Sequence, residues 1–225
     1  MDILLDRRGV LAAACTLPLL ALPGCASIGG YLFEDAIRRL LTLSSQRAFA
    51  RLLQENGFFE DEVARIGLPP QLEGAGAVAS ALLRTPLVRN QMLQLMNRAA
   101  ADAAEAAAPV VYDAIRGMSF ADAASLVRGG PTAATDLLER SMGNAIVDVM
   151  FPGVGGALRL LDSGVLNQLL RAATGVDFGL VQRHVTESAA RGIYRAIGRE
   201  EAAIRADPRG AGDPVIASVF GGSIS

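Results

Sequence analysis

Apolar residues recur every three or four positions along most of the chain and nowhere settle into sustained alternation, so the pattern predicts helices and no convincing strand. Phe33, Ile37, Leu40 and Leu41 begin the first such stripe, which runs to about Glu55, where Asn56-Gly57 supplies a stop. The next segment, FFEDEVARIGLPPQLEGAG, mixes apolar residues with Pro69-Pro70 and three glycines, and reads as an irregular connection. Thr85 before Pro86 has the form of an N-cap followed by a first-turn proline. The helix it starts is expected to reach about Gly117, kinked or divided at Pro109 by the missing donor and the ring clash.

Further along, Ser119-Phe120-Ala121-Asp122 resembles a capping box with Asp in place of Glu, and heads a short helix stopped by Gly129-Gly130. Pro131 is predicted to start a helix carrying Leu137, Leu138, Ile146, Val147 and Val149 and ending at Pro152. Gly153, Gly155 and Gly156 then read as a hinge; Leu158 stands where the third glycine of a dinucleotide fingerprint would be. Residues 157–173 form another predicted helix, closed by Gly175 and weakened in its middle by Gly164, by up to ~1 kcal/mol relative to alanine. Asp177 caps a long last helix through Arg205, and Asp213-Pro214 starts a final turn near Phe220. The expected fold is all-α, a single compact domain of about seven helices with no repeat.

Composition supports that class. Apolar residues are 51% of the chain but aromatics only 5%, with no tryptophan, so alanine, leucine and valine must fill the core. Alanine is the best helix former, and such small side chains suit closely packed helices. All 21 basic residues are arginine, spread along the chain, and the formal net charge is -2. No basic stripe of the kind a nucleic-acid binder needs is present, so nucleic acid is excluded as a partner.

The N-terminus departs from the helical pattern. MDILLDRRG is a short charged start, followed by an apolar run from Val10 to Leu22 that is too short for the ~20 residues a membrane span needs. Residues 1–24 therefore read as a cleaved export signal, 25–32 as a short tether and 33–225 as the helical domain. Leu22-Pro23-Gly24-Cys25 resembles the lipobox of bacterial lipoproteins, which implies cleavage before Cys25 and lipidation of its sulfur and amine. Cys15 would leave with the signal, so the mature chain would have no free thiol, no disulfide and no cysteine-ligated metal. Two or three acyl chains anchor a protein far more firmly than one, at ~0.8 kcal/mol per buried methylene. Ala26 after the cysteine, where aspartate is absent, points towards the outer membrane. Arg7 and Arg8 also resemble a twin-arginine signal, leaving the export route open.

Several segments together resemble a bacterial family catalogued as domain of unknown function 4197. They are Met96 to Ala100, Asp113 to Ile115, MSFADAASLVRGGPTAATD from Met118, and YRAIGREEAAIRADPRGAGDPVIASVFG near the end. The similarity runs from about Ser44 to Phe220. It implies an all-helical, exported, often lipid-anchored envelope protein, and implies no activity. Pro131 replaces an expected acidic residue, and Phe151 to Val176 matches poorly.

Candidate chemistry is sparse. His184 is the only histidine and lies one helical turn before Ser188, with Glu187 between them. A hydrolase would need that histidine within reach of both partners and an oxyanion site, a geometry that three neighbours on one helical face rarely provide. Asn97, Arg98, Asp102 and Glu105 share an alanine-lined helix and suggest a polar network fixing helix register, or a ligand contact. Arg98 and Asp102, spaced i and i+4, would make an intrahelical ion pair. No Glu-x-x-His motif is present, so neither a metal nor another cofactor is expected. The amides of the helix after Gly129-Gly130-Pro131-Thr132 could receive an anion, although capping accounts for the same residues.

The expectation is a non-enzymatic, periplasm-facing lipoprotein held to the membrane through Cys25 and acting through contacts with an envelope protein partner. The alternative is a carrier of an apolar ligand between helices, suggested by the alanine faces and by Met92, Met96 and Met118.

Overall fold

A computed structural model describes residues 25–73, 76–160 and 178–222. The signal with Cys15, Arg7 and Arg8, the predicted helix around Gly164, and the cap at Asp177 lie outside the described residues. Most of those described are helical, with no strand among them. Six helices have eight residues or more: α1 (Cys25–Leu52), α4 (Ala77–Arg84), α5 (Pro86–Gly117), α7 (Ala133–Met142), α8 (Ala145–Leu160) and α9 (Phe178–Ala206). Shorter ones are α2 (Gly57–Glu60), α3 (Pro70–Glu73), α6 (Ala123–Val127) and α10 (Pro214–Phe220). Among the described residues, no helix is long and apolar enough to cross a membrane.

Helix α9 is the centre of the domain. Its sequence buries Val181, Val185, Ala189, Ile193, Ala196, Ile197 and Ile204, and α1, α5, α7 and α8 pack around it. The matching stripe on α1 is Ala36-Ile37, Leu40-Leu41, Ser44-Ser45, Ala48-Phe49 and Leu52, all buried and spaced in pairs four residues apart. A paired i, i+1, i+4, i+5 pattern is a broad helical face, as a core-facing helix requires. Small side chains set the approach distances. A methyl group on Gly192 would stand 2.8 Å from the carbonyl oxygen of Ala64, so glycine is what lets the segment after α2 lie against α9.

Several boundaries differ from the sequence expectation. Residues 25–32 lie within α1. The segment expected as an irregular connection holds the short helices α2 and α3, and Asn56, with φ 61°, turns the chain out of α1 into α2. Pro86 starts α5 as predicted, but Pro109 does not divide it, because the ring sits on the exposed side of one continuous helix. The N-cap of α6 is Asp122, not Ser119: its Oδ1 accepts from Ser125 N at 3.1 Å. The single helix expected from Pro131 to Pro152 is two, broken at Gly143, whose φ of +52° disfavours other residues. Pro152 lies inside α8. Gly153 and Gly155 are no hinge either: a methyl on Gly153 would stand 3.3 Å from Ala103 of α5, and Gly155 lies directly beneath the Gln182 amide. Both glycines serve helix packing.

Candidate functional site

Polar side chains of α9 and α1 first hold the helices together. Glu201 is fully buried, and its carboxylate accepts from Ala134 N at 3.1 Å, Thr135 N at 2.7 Å and Thr135 Oγ1 at 2.6 Å. It thereby caps the N-terminus of α7 from a different helix, satisfying amides that α7 cannot satisfy itself. Arg205, one turn on, pairs with Glu201 at 2.8 Å and donates to the carbonyls of Leu126 and Val127 at the end of α6. One i, i+4 pair thus bridges both ends of the Gly129-Gly130-Pro131 turn. The anion suggested for the start of α7 is a carboxylate of the chain itself. Arg38 of α1 closes α5 in the same way, donating to the carbonyls of Ile115, Arg116 and Met118 while stacked over Phe120.

The predicted polar group on α5 divides. Asn97, 1% exposed, donates to Ile66 O at 3.0 Å and Leu93 O at 2.7 Å and accepts from Ile66 N at 2.8 Å, so it pins the irregular segment to α5. Arg98, Asp102 and Glu105 point to the surface, where with Asn97, Gln54 and Glu55 they line a hollow of about 240 Å³. Arg98 and Asp102 form no ion pair within 4 Å, so their spacing does not produce the expected bridge. The alanine face behind them is filled: Ala99, Ala100, Ala103, Ala104 and Ala107 are buried, with α8 laid along α5 and Met92 and Met96 enclosed.

His184 and Ser188 are each hydrogen-bonded to other groups and not to one another. His184 Nε2 lies 3.0 Å from the carbonyl oxygen of Gly67, to which it can only donate. Ser188 Oγ accepts from Arg191 at 3.0 Å. Among the described residues, no three His, Cys, Asp or Glu side chains are gathered so as to hold a metal ion.

A further site lies on the outward stripe of α9, which sequence reasoning did not single out. Arg191, Arg195 and Arg199 follow one another at i, i+4 and i+8 and face Asp136 and Glu139 of α7 across a cleft of about 470 Å³. Arg199 is committed to the fold. It donates two parallel bonds to Asp61, at 2.9 and 2.7 Å, and Asp61 also accepts from Val63 N and Ala64 N. Burial alone would raise the Asp61 carboxyl, but the Arg199 guanidinium and those two amides outweigh it and hold it below the ordinary value of 3.8. Its stabilising contribution is therefore fully present above about pH 4 and lost as pH falls through the lowered folded value. Urea denaturation should show a stability gap between wild type and Asp61→Asn that shrinks below pH 3.8. An unchanged gap would mean that the pair does not stabilise the fold.

Arg191 and Arg195 are freer. Arg195 spends Nε on Val63 O at 2.6 Å, and Arg191 spends one terminal nitrogen on Ser188. Between them Tyr194 is 6% exposed, yet its hydroxyl is buried with no hydrogen-bond partner. Burial, reinforced by the Glu139 charge, pushes that hydroxyl up to about 12, so it keeps its proton at neutral pH.

An all-helical domain wrapped around one buried helix, with a mixed-charge cleft on that helix's open side, is the class that these features define. The chain belongs to the family described as Protein of unknown function (DUF4197), whose model matches residues 31–221. No curated protein and no solved structure matches it.

Proposed function

We propose that this protein is an exported, lipid-anchored envelope protein facing the periplasm, held at the outer membrane through Cys25 and acting by non-covalent contact with an envelope partner. The observation that carries this reading is the continuity between anchor and fold. Helix α1 includes Cys25, the residue marked by the lipobox pattern, and runs unbroken into the buried stripe that starts at Ala36. A domain joined to its lipid by a continuous helix is held close to the membrane, since the helical residues between Cys25 and Ala36 rise only ~1.5 Å each. Contact, in preference to bond chemistry, is favoured because the one histidine and its neighbouring serine are each engaged elsewhere.

The test is Cys25→Ser expressed in the native host. The variant should incorporate no labelled fatty acid and should move from the membrane to the soluble fraction. Persistent incorporation would refute the anchor. For the contact reading, crosslinking in intact envelopes should capture a defined protein neighbour of the wild type, and an empty result would count against it.

A further inference from the structure

The cleft between α7 and α9 has opposite charges on its two walls and leaves them unjoined. Asp136 and Glu139 line one side and Arg191 and Arg195 the other, yet among the described residues no ion pair within 4 Å crosses between them. At about 470 Å³ the space falls within the ~300–1,000 Å³ typical of small-molecule sites. A second observation is independent of the charges: Tyr194 lines the same space, and its hydroxyl, enclosed beneath the cleft surface, has no partner. Burying a hydroxyl unpaired is unfavourable, and such groups are rare without a function or a bound molecule to satisfy them. Its neighbour Arg199 Nε is also buried without a hydrogen bond, 3.7 Å from Glu200.

We propose that this cleft binds a small zwitterion carrying a carboxylate and an ammonium group, of the size of an amino acid or short peptide with free termini. The carboxylate would lie against the terminal nitrogens of Arg191 and Arg195 and accept from the Tyr194 hydroxyl. Guanidinium groups suit this role because their fork matches carboxylate geometry. The ammonium would face Asp136 and Glu139. A simple anion would leave that acidic wall uncompensated, and a simple cation would leave the arginines so. The inference is independent of how the chain is tethered, and binding could fail while lipidation stood, or the reverse.

The test is isothermal titration of the full chain, purified in detergent, with alanyl-alanine. Control titrations use its N-acetyl form, its C-terminal amide and inorganic phosphate. Saturable binding is expected for the free dipeptide, with each blocked form at least about tenfold weaker, as loss of a charge-assisted hydrogen bond implies. Tyr194→Phe removes only an oxygen with no partner in the fold, so it should stay folded and bind about tenfold more weakly. Arg191→Gln, at an exposed position, should do the same. Equal binding of the blocked forms or of phosphate would overturn the zwitterion. Absence of saturable dipeptide binding, or unchanged affinity in both variants, would overturn the site.

Discussion

Replacing Glu201 with alanine is expected to destabilise the protein by about 3–5 kcal/mol, the cost of removing one member of a buried ion pair. The side chain is fully enclosed, and its loss strands the Arg205 guanidinium together with the first amides of α7. Glu201→Gln keeps the shape and some of the accepting capacity, so it should fall between alanine and wild type. Replacing both partners by leucine and methionine should recover only the part due to the stranded Arg205 charge, because the first amides of α7 and the carbonyls of Leu126 and Val127 stay unpaired. Urea denaturation of the set checks this, and a loss under about 1 kcal/mol for alanine would show that the cap is dispensable.

The second large effect is expected at Asn97. Alanine there leaves both the N–H and the C=O of Ile66 buried without a partner, at ~1–3 kcal/mol each. Aspartate at the same position would be no better, since a carboxylate keeps the acceptor for Ile66 N but turns its second oxygen on the carbonyls of Ile66 and Leu93. Thermal unfolding should therefore rank Asn97→Asp no higher than Asn97→Ala. A stable aspartate variant would contradict the assigned orientation of the amide.

The all-helical class was legible because amphipathic periodicity and alanine content are local properties. So were the caps that act within a few residues, such as Asp213 accepting from Val215 and Ile216 at the start of α10. Long-range capping was not legible. Glu201 reaches a helix 66 residues away in sequence, and Arg38 reaches carbonyls 77 to 80 residues away. Each looks in sequence like an ordinary surface charge on a helix. Asn97 was identified as part of a polar network but not with its partner, the backbone of Ile66, which lies in an irregular segment without periodic signal. The run from Pro131 to Pro152 read as one helix because its apolar spacing continues through the break; only the positive φ of Gly143 reveals the interruption.

The cleft was missed for a related reason. Arg191, Arg195 and Arg199 are spaced like any solvated helical stripe, and Tyr194 between them looks like a core aromatic. What distinguishes them is the acidic wall that α7 brings alongside, placed there by the Glu201 cap and by the closeness of Gly198 to Thr132. The same residues YRAIGREE thus carry both the frame and the proposed binding surface: Glu201 inward, the arginines outward.

The proposed attachment of this helical domain to a lipidated Cys25 is tested most directly by the mass of the mature N-terminal peptide. Protein extracted from its native membranes and digested with protease should yield a first peptide beginning at Cys25 and carrying a diacylglyceryl group, with or without an acylated amine. An unmodified peptide, or one beginning at another residue, would contradict the anchor.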